Sequence, residues 1–413
     1  MGGGLMLSSE LSGLKMPARA PSAFEVPPYP YDRLDSLRQV ADAFEGGCVN
    51  LSVGSPSDPP SAAVVAALSS SGAERLYPAS AGSPAYRAAA AQWLARRFGV
   101  NVTGLALAGC VGTKEFVASV PRYLRLRQPE RDTVLYPTIS YPTYAMGAAL
   151  AQCRAVPVPL DEHWHLDLSQ ISVEDATRAL CLWVNTPANP TGALEDLAAV
   201  IAWGRTYEVP VLSDECYIEF TWGINRPRSI LSSNVEGPAS SHTASLNTDD
   251  VTGILAVHSL SKRSNIAGLR VGFYAGDPEL VAFLSEVRKH AGLMIPGPVQ
   301  QAAVVAFGDD AHVEAQRAIY RSRLARLAKL FRAFDPNVKL PDGGFYLWLT
   351  ASDGDGWGLA SHLASKFGAL ISPGEFYGPQ GAGYVRVAAV ASDTQISLLE
   401  KRMAQLAGST VHI

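Results

Sequence analysis

Between residues 133 and 276 the chain alternates short apolar runs with helical patterns, and this alternation limits the fold more than any other feature. The runs are TVLYP (133–137), CRAVPVPL (153–160), ALCLWVN (179–185), VPVLSDE (209–215), GILAVHS (253–259) and LRVGFYAG (269–276). Helical patterns over 144–152 and 193–206 separate some of them. Strands that stay apolar throughout, instead of alternating with polar residues, are buried on both faces. A mainly parallel sheet with helices on either side follows, the α/β class. Such sheets take ligands at the carboxyl ends of their strands. Polar residues collect there: Asn185, Asp214 and Ser259 each close an apolar run.

The pattern changes near residue 298. Helical stretches over 298–307 and 310–334 lead to GGFYLWLT, a helix over 357–367, YVRVAAV, and a closing helix over 393–406. This reads as a smaller α+β domain. The expected division is a leader over 1–23, a large domain over 51–297, and a small domain made of 24–50 plus 298–413. A length of 413 residues, 47% of them hydrophobic, suits a two-domain globular chain. The polar stretch 223–252 reads as a surface excursion between two strands.

Charge and composition exclude several function classes. A formal charge of −4 argues against a nucleic-acid partner, which calls for a basic excess or stripe. No run is long and apolar enough for a membrane span, and the first 23 residues lack the basic start and apolar centre of a signal peptide. The five cysteines are scattered and odd in number, as expected of reduced thiols in a cytoplasmic protein.

The chemistry concentrates in a few motifs. HSLSKRSNIAGLRVGFYAG (258–276) sets Lys262 among small and apolar residues, with Arg270 downstream. Lysine is rarely buried unless paired, so Lys262 is either a surface residue on a turn or an amine held inward for chemistry. Ser259, Ser261 and Arg270 suit a phosphate dianion through charge-assisted bonds. GCVGTKEF (109–116) opens a helix with Gly112, Thr113 and Lys114, whose backbone N–H groups could meet a phosphate. NPTG places Asn189 in a rigid turn, and SDECY spaces Asp214 and Tyr217 three apart. Taken singly, each has a plain structural alternative: a turn, a helix N-cap at Asp214, a loop leading into a helix.

Taken together and in order, NPTG, SDECY and SLSKRSNIAGLRVG resemble the fold-type I, pyridoxal-phosphate-dependent aminotransferases of class I/II. The resemblance runs from LSVGSP (51–56) and YPASAGSPAYR (77–87) to YVRVA (384–388). LSVGSPSDP, YPTISYPTYAMGAAL, VRKHAGLMIPGPVQ and PGEFYGPQGAGYVRVA further resemble actinobacterial succinyldiaminopimelate aminotransferases. The resemblance implies pyridoxal 5'-phosphate as cofactor, small amino and oxo acids as substrates, and a homodimer with shared active sites. It implies that Lys262 binds the cofactor covalently and that Asp214 pairs with its pyridine nitrogen. Asn189 and Tyr217 would bond the phenolic oxygen, and Tyr141 would stack on the ring. The phosphate would take Gly112, Thr113, Lys114, Ser259, Ser261 and Arg270, with Tyr77 reaching it from the neighbouring subunit. Threonine stands at 113 where many relatives carry serine, and it keeps the hydroxyl. Arg386, with the Gly54 N–H and Asn189, would hold the substrate α-carboxylate; a permanent salt bridge is the plain alternative for Arg386.

The implied reaction exchanges an amino group between glutamate/2-oxoglutarate and N-succinyl-2-amino-6-oxopimelate in ping-pong fashion. Such substrates carry a distal carboxylate, for which Arg33, Arg228, Arg263 and Lys289 are candidates. Alanine, aspartate or aromatic specificity is the alternative enzyme reading. An aminotransferase-like sensing protein is a remote one, because the stretch before Phe24 is too short for a winged-helix domain. DEHWH (161–165) reads as a solvent-side turn, Cys216 as a small buried residue, and RLARLAKLFRAF (323–334) as a helix packed on its own core.

Overall fold

The computed structural model describes residues 24–69, 72–223, 228–233 and 250–409. The expected leader and most of the polar excursion lie outside the described residues. In chain order the strands are β1 (Val49–Asn50), β2 (Ala106–Cys110), β3 (Thr133–Pro137), β4 (Arg154–Val158), β5 (Ala179–Asn185) and β6 (Val211–Asp214). They continue with β7 (Ile254–Ser259), β8 (Gly272–Gly276), β9 (Tyr346–Thr350), β10 (Ala369–Leu370), β11 (Ser372–Pro373) and β12 (Tyr384–Ala388).

A seven-stranded sheet runs in the order β2-β8-β7-β6-β5-β3-β4. The strands from β7 to β4 are mutually parallel, and β8 is antiparallel to both β7 and β2. Every residue of β5, β6 and β7 is buried, which is why these runs are apolar without alternation. Their inward residues, with Trp93, Phe273 and Phe307 from flanking elements, form the main core.

Two details differ from the sequence reading. The glycine turn expected over 109–116 overlaps only the last two residues of β2, whose Ala- and Gly-rich composition carries little strand signal. The run 269–276 becomes strand only from Gly272. Ahead of it Arg270 takes a left-handed conformation, with φ +52°.

A second, antiparallel sheet has the order β11-β12-β9, and β1 pairs with β10. Leu347, Leu349, Val385 and Val387 form its core with Val49 and Leu51. Tyr217 and Phe220, from the turn after β6, pack into the same core. The basic stretch after residue 323 does lie on a helix of this region, Ala311–Phe331. Its charges face partners inside the fold: Arg323 is buried against Asp58 and Asp393, and Arg326 meets Glu400. In DEHWH, Asp161 accepts the backbone N–H groups of His163 and His165, closing a turn. Among the described residues no helix is long and apolar enough to cross a membrane.

Candidate active site

The carboxyl ends of β5, β6 and β7 deliver Asn185, Asp214 and Ser259 to one cavity of about 430 Å³. Gly54, Thr113, Lys114, Tyr141, Asn189, Tyr217, Ser261, Lys262, Arg270 and Arg386 line it too. Residues more than 300 positions apart, Gly54 and Arg386 among them, thus meet at one site.

Asp214, the last residue of β6, is buried at the cavity floor. Its Oδ2 accepts the Tyr144 hydroxyl at 3.2 Å and its Oδ1 the Cys216 N–H at 3.2 Å. Burial pushes its carboxyl above the usual range, and these donors draw it back. Burial also raises the Tyr144 hydroxyl, so that group stays protonated and donates. Asn185 donates to the Asp214 carbonyl and accepts the Asn189 N–H at 2.7 Å, which fixes the NPTG turn over the strand ends.

Lys262 sits on the four-residue helix Leu260–Arg263 that follows β7. The Ser259 hydroxyl caps this helix by accepting the Ser261 N–H at 3.1 Å. The ammonium of Lys262 donates to the Gly54 carbonyl. Burial, with the cationic Arg386 and Arg270 nearby and Cys216 opposing, brings its pKa down to about 8. An amine in that range is available as a nucleophile and a base near neutral pH.

Thr113, Ser259, Ser261 and Arg270 line the same cavity as Lys262. Gly112 ends β2's turn at φ +87°, and a Cβ there would strike the Arg270 guanidinium. Only glycine lets the backbone and Arg270 come this close. Thr113 then starts the helix Thr113–Arg127, whose first N–H groups point outward unpaired by the helix itself. Hydroxyls of Ser259 and Ser261, a guanidinium and a helix N-terminus form a donor set suited to a phosphate dianion.

Arg386, in the middle of β12, is fully buried. Its guanidinium lies between the rings of Tyr346 and Tyr377, 4.0 and 4.9 Å from their centroids. It donates to Asn189 Oδ1 at 2.7 Å and to Tyr31 Oη at 3.2 Å. All these acceptors are neutral, and Nε has no partner. The permanent salt bridge weighed for Arg386 is not formed among the described residues.

Several site residues carried no signal of their own in sequence. Tyr346 hydrogen-bonds Tyr217 at 2.8 Å, and a Cβ on Gly54 would collide with its hydroxyl. Tyr29 and Tyr31 come from the N-terminal segment; Tyr29 meets Tyr141 at 3.1 Å. Lys114 donates to Tyr29 Oη at 3.1 Å and stands over the Tyr29 and Tyr141 rings, 4.6 and 5.6 Å away. Tyr77 is 97% exposed and does not line the cavity within this chain.

None of the four distal-carboxylate candidates lines the cavity. Arg263 is buried and paired with Glu219, which removes it from that role. Arg33 meets Glu375 at 3.4 Å and covers Trp357, and Lys289 meets Glu286 at 3.6 Å. Arg228 is exposed at the edge of the excursion.

A lysine with a lowered pKa, a buried carboxylate and a cluster of hydroxyl and guanidinium donors thus meet at the strand ends of an α/β sheet. Residues 46–401 match the family model described as aminotransferase class I and II, and the chain belongs to that family. Members of the family use pyridoxal 5'-phosphate. The chain is 40% identical to the 4-dedimethylamino-4-oxo-anhydrotetracycline transaminase OxyQ of Streptomyces rimosus, over 92% of this chain and 99% of that one. It is 30% identical to the LL-diaminopimelate aminotransferase of Syntrophobacter fumaroxidans, over 92% and 97% of the two chains. An aminotransferase structure from Neisseria meningitidis superposes with a TM-score of 0.81 at 30% identity, covering 93% of this chain and 98% of that one.

Proposed function

We propose that this aminotransferase exchanges an amino group between glutamate/2-oxoglutarate and N-succinyl-2-amino-6-oxopimelate. Arg386 supports the amino- and oxo-acid class of substrate: it is a buried guanidinium among neutral acceptors, matched to a carboxylate. With the Gly54 N–H it orients the substrate α-carbon toward Lys262. Lys262 would hold the cofactor, and its amine would move the proton at that α-carbon. The bound cofactor supplies a cationic conjugated ring that takes up the electron pair left behind. Asp214 would keep the ring nitrogen protonated, Asn189 and Tyr217 would bond the phenolic oxygen, and Tyr141 would pack on the ring. Gly112, Thr113, Ser259, Ser261 and Arg270 hold the phosphate.

Lys114 is better matched to the distal carboxylate than to the phosphate. It is exposed at the cavity mouth, and no carboxylate pairs with it among the described residues. Under this reading Arg386→Lys, which loses the planar fork, raises KM for every amino donor by roughly 10- to 100-fold. Lys114→Met raises KM only for donors with a distal carboxylate, by roughly 5- to 10-fold, and leaves alanine unchanged. Equal effects on alanine and glutamate would reject the Lys114 assignment.

A second reading, favoured by the 30% identity to the Syntrophobacter enzyme, takes unacylated LL-diaminopimelate. Steady-state rates with 2-oxoglutarate and each of the two diamines decide between them. The first reading fails if the succinylated diamine gives no glutamate while the free diamine does. We further propose the homodimer, with 51–297 as cofactor-binding domain and 24–50 plus 298–413 as small domain. The separate sheets and cores support the division, and the exposed Leu76 and Tyr77 support an intersubunit contact.

A further inference from the structure

Arg263 follows Lys262 directly and points the opposite way, into the protein. Its Nε donates to Glu219 Oε1 at 3.2 Å, Nη1 to the Ala306 carbonyl at 2.6 Å and to Ser264 Oγ at 3.1 Å, and Nη2 to Asp310 Oδ1 at 3.3 Å. Glu219 is as deeply buried as Arg263, each 2% exposed. Its Oε1 also takes the Trp93 indole N–H at 2.7 Å, and its Oε2 takes Arg97 twice, at 3.1 and 2.8 Å. Arg317 donates to its backbone carbonyl. The carboxylate thus accepts four side-chain hydrogen bonds, two on each oxygen.

Two short segments meet at this pair. One is the helix Leu260–Arg263, which bears Lys262 and is far too short to hold its own shape. The other is the turn after β6, where Tyr217 stands two residues before Glu219. The sheet fixes β6 and β7 relative to each other, but both residues lie beyond the strand ends. We infer that the buried Glu219–Arg263 pair is the positioning device that sets Lys262 against Asp214 and Tyr217. A buried ion pair contributes little net stability compared with an apolar replacement, and registry is its best-attested use. A displacement of about 1 Å at a reacting amine costs on the order of 10²-fold in rate.

The inference rests on Lys262 being the cofactor lysine, which borohydride trapping on the unaltered holoenzyme tests independently: a label on another residue removes that reading, whatever the variants do. In Glu219→Gln holoenzyme the trap should still label Lys262. Turnover per cofactor-loaded site should fall roughly 10- to 100-fold with KM for both substrates within about twofold. The visible circular dichroism of the bound cofactor should change sign or intensity, which loss of global stability alone would not produce. Arg263→Lys keeps the charge but loses the fork; it should fall between wild type and Glu219→Gln, and it decides the matter if Glu219→Gln does not fold. Wild-type turnover per loaded site with an unaltered dichroic band, in either folded variant, overturns the inference.

Discussion

Lys262→Ala should lower turnover by about 10⁴-fold and leave no pyridoxyl label after borohydride reduction of the cofactor-saturated protein. The magnitude follows from what one amine is asked to do: hold the cofactor, then move the α-proton. The nearby Cys216 is a poor substitute, because it is a buried thiol whose pKa burial pushes up. A variant that turns over normally, or takes the label elsewhere, removes the assignment. The local environment also sets a pH dependence. With its pKa down at about 8, the Lys262 amine becomes neutral as pH rises through that value. Cofactor capture by the apoenzyme should therefore accelerate between about pH 7 and about pH 9 and then level. The sign for stability is the same. The unfolded lysine keeps its proton up to its ordinary value near 10.5, whereas the folded one releases it from about 8. Between these values the unfolded chain binds more protons, so the apoenzyme gains stability from this group as pH rises.

Asp214→Asn should cost roughly 10²- to 10³-fold in turnover per loaded site, the scale of removing one preorganised electrostatic partner. The amide keeps the shape: its oxygen can still accept the Cys216 N–H, and its NH2 then faces the Tyr144 hydroxyl, which can turn to accept, so the fold and cofactor content should change little. What it loses is the negative charge at the cavity floor. Burial alone raises the Asp214 carboxyl, and a cationic partner above it would reverse that shift. The measurement is kcat normalised to bound cofactor. A wild-type value would show that Asp214 is a structural cap at the end of β6.

Much of this molecule is legible one-dimensionally. ALCLWVN predicts β5 residue for residue, because a strand buried on both faces has to be apolar along its whole length. The strand-closing positions follow from the same rule: β5, β6 and β7 turn polar only in their last one or two residues, Asn185, Ser213–Asp214 and His258–Ser259. Their spacing to Asn189, Tyr217, Lys262 and Arg270 is local and survives any folding detail. Strand β2 was not legible, since alanine and glycine satisfy a strand, a turn or a helix start equally poorly.

The amino-acid order alone therefore determined the α/β class, the family, and the residues that end β5, β6 and β7, because burial and turn chemistry act over a few positions. Tertiary structure decided what depends on distant partners. Arg263 is a surface cation or a buried strut according to where Glu219 lies, 44 residues earlier in the chain. Lys114 faces the cavity mouth because Tyr29 and Tyr141 present their rings there. Arg386 sits between Tyr346 and Tyr377 only because β12 pairs with both β9 and β11. The free energy of a charged side chain is set by the groups around it, and those groups come together only when the chain has folded.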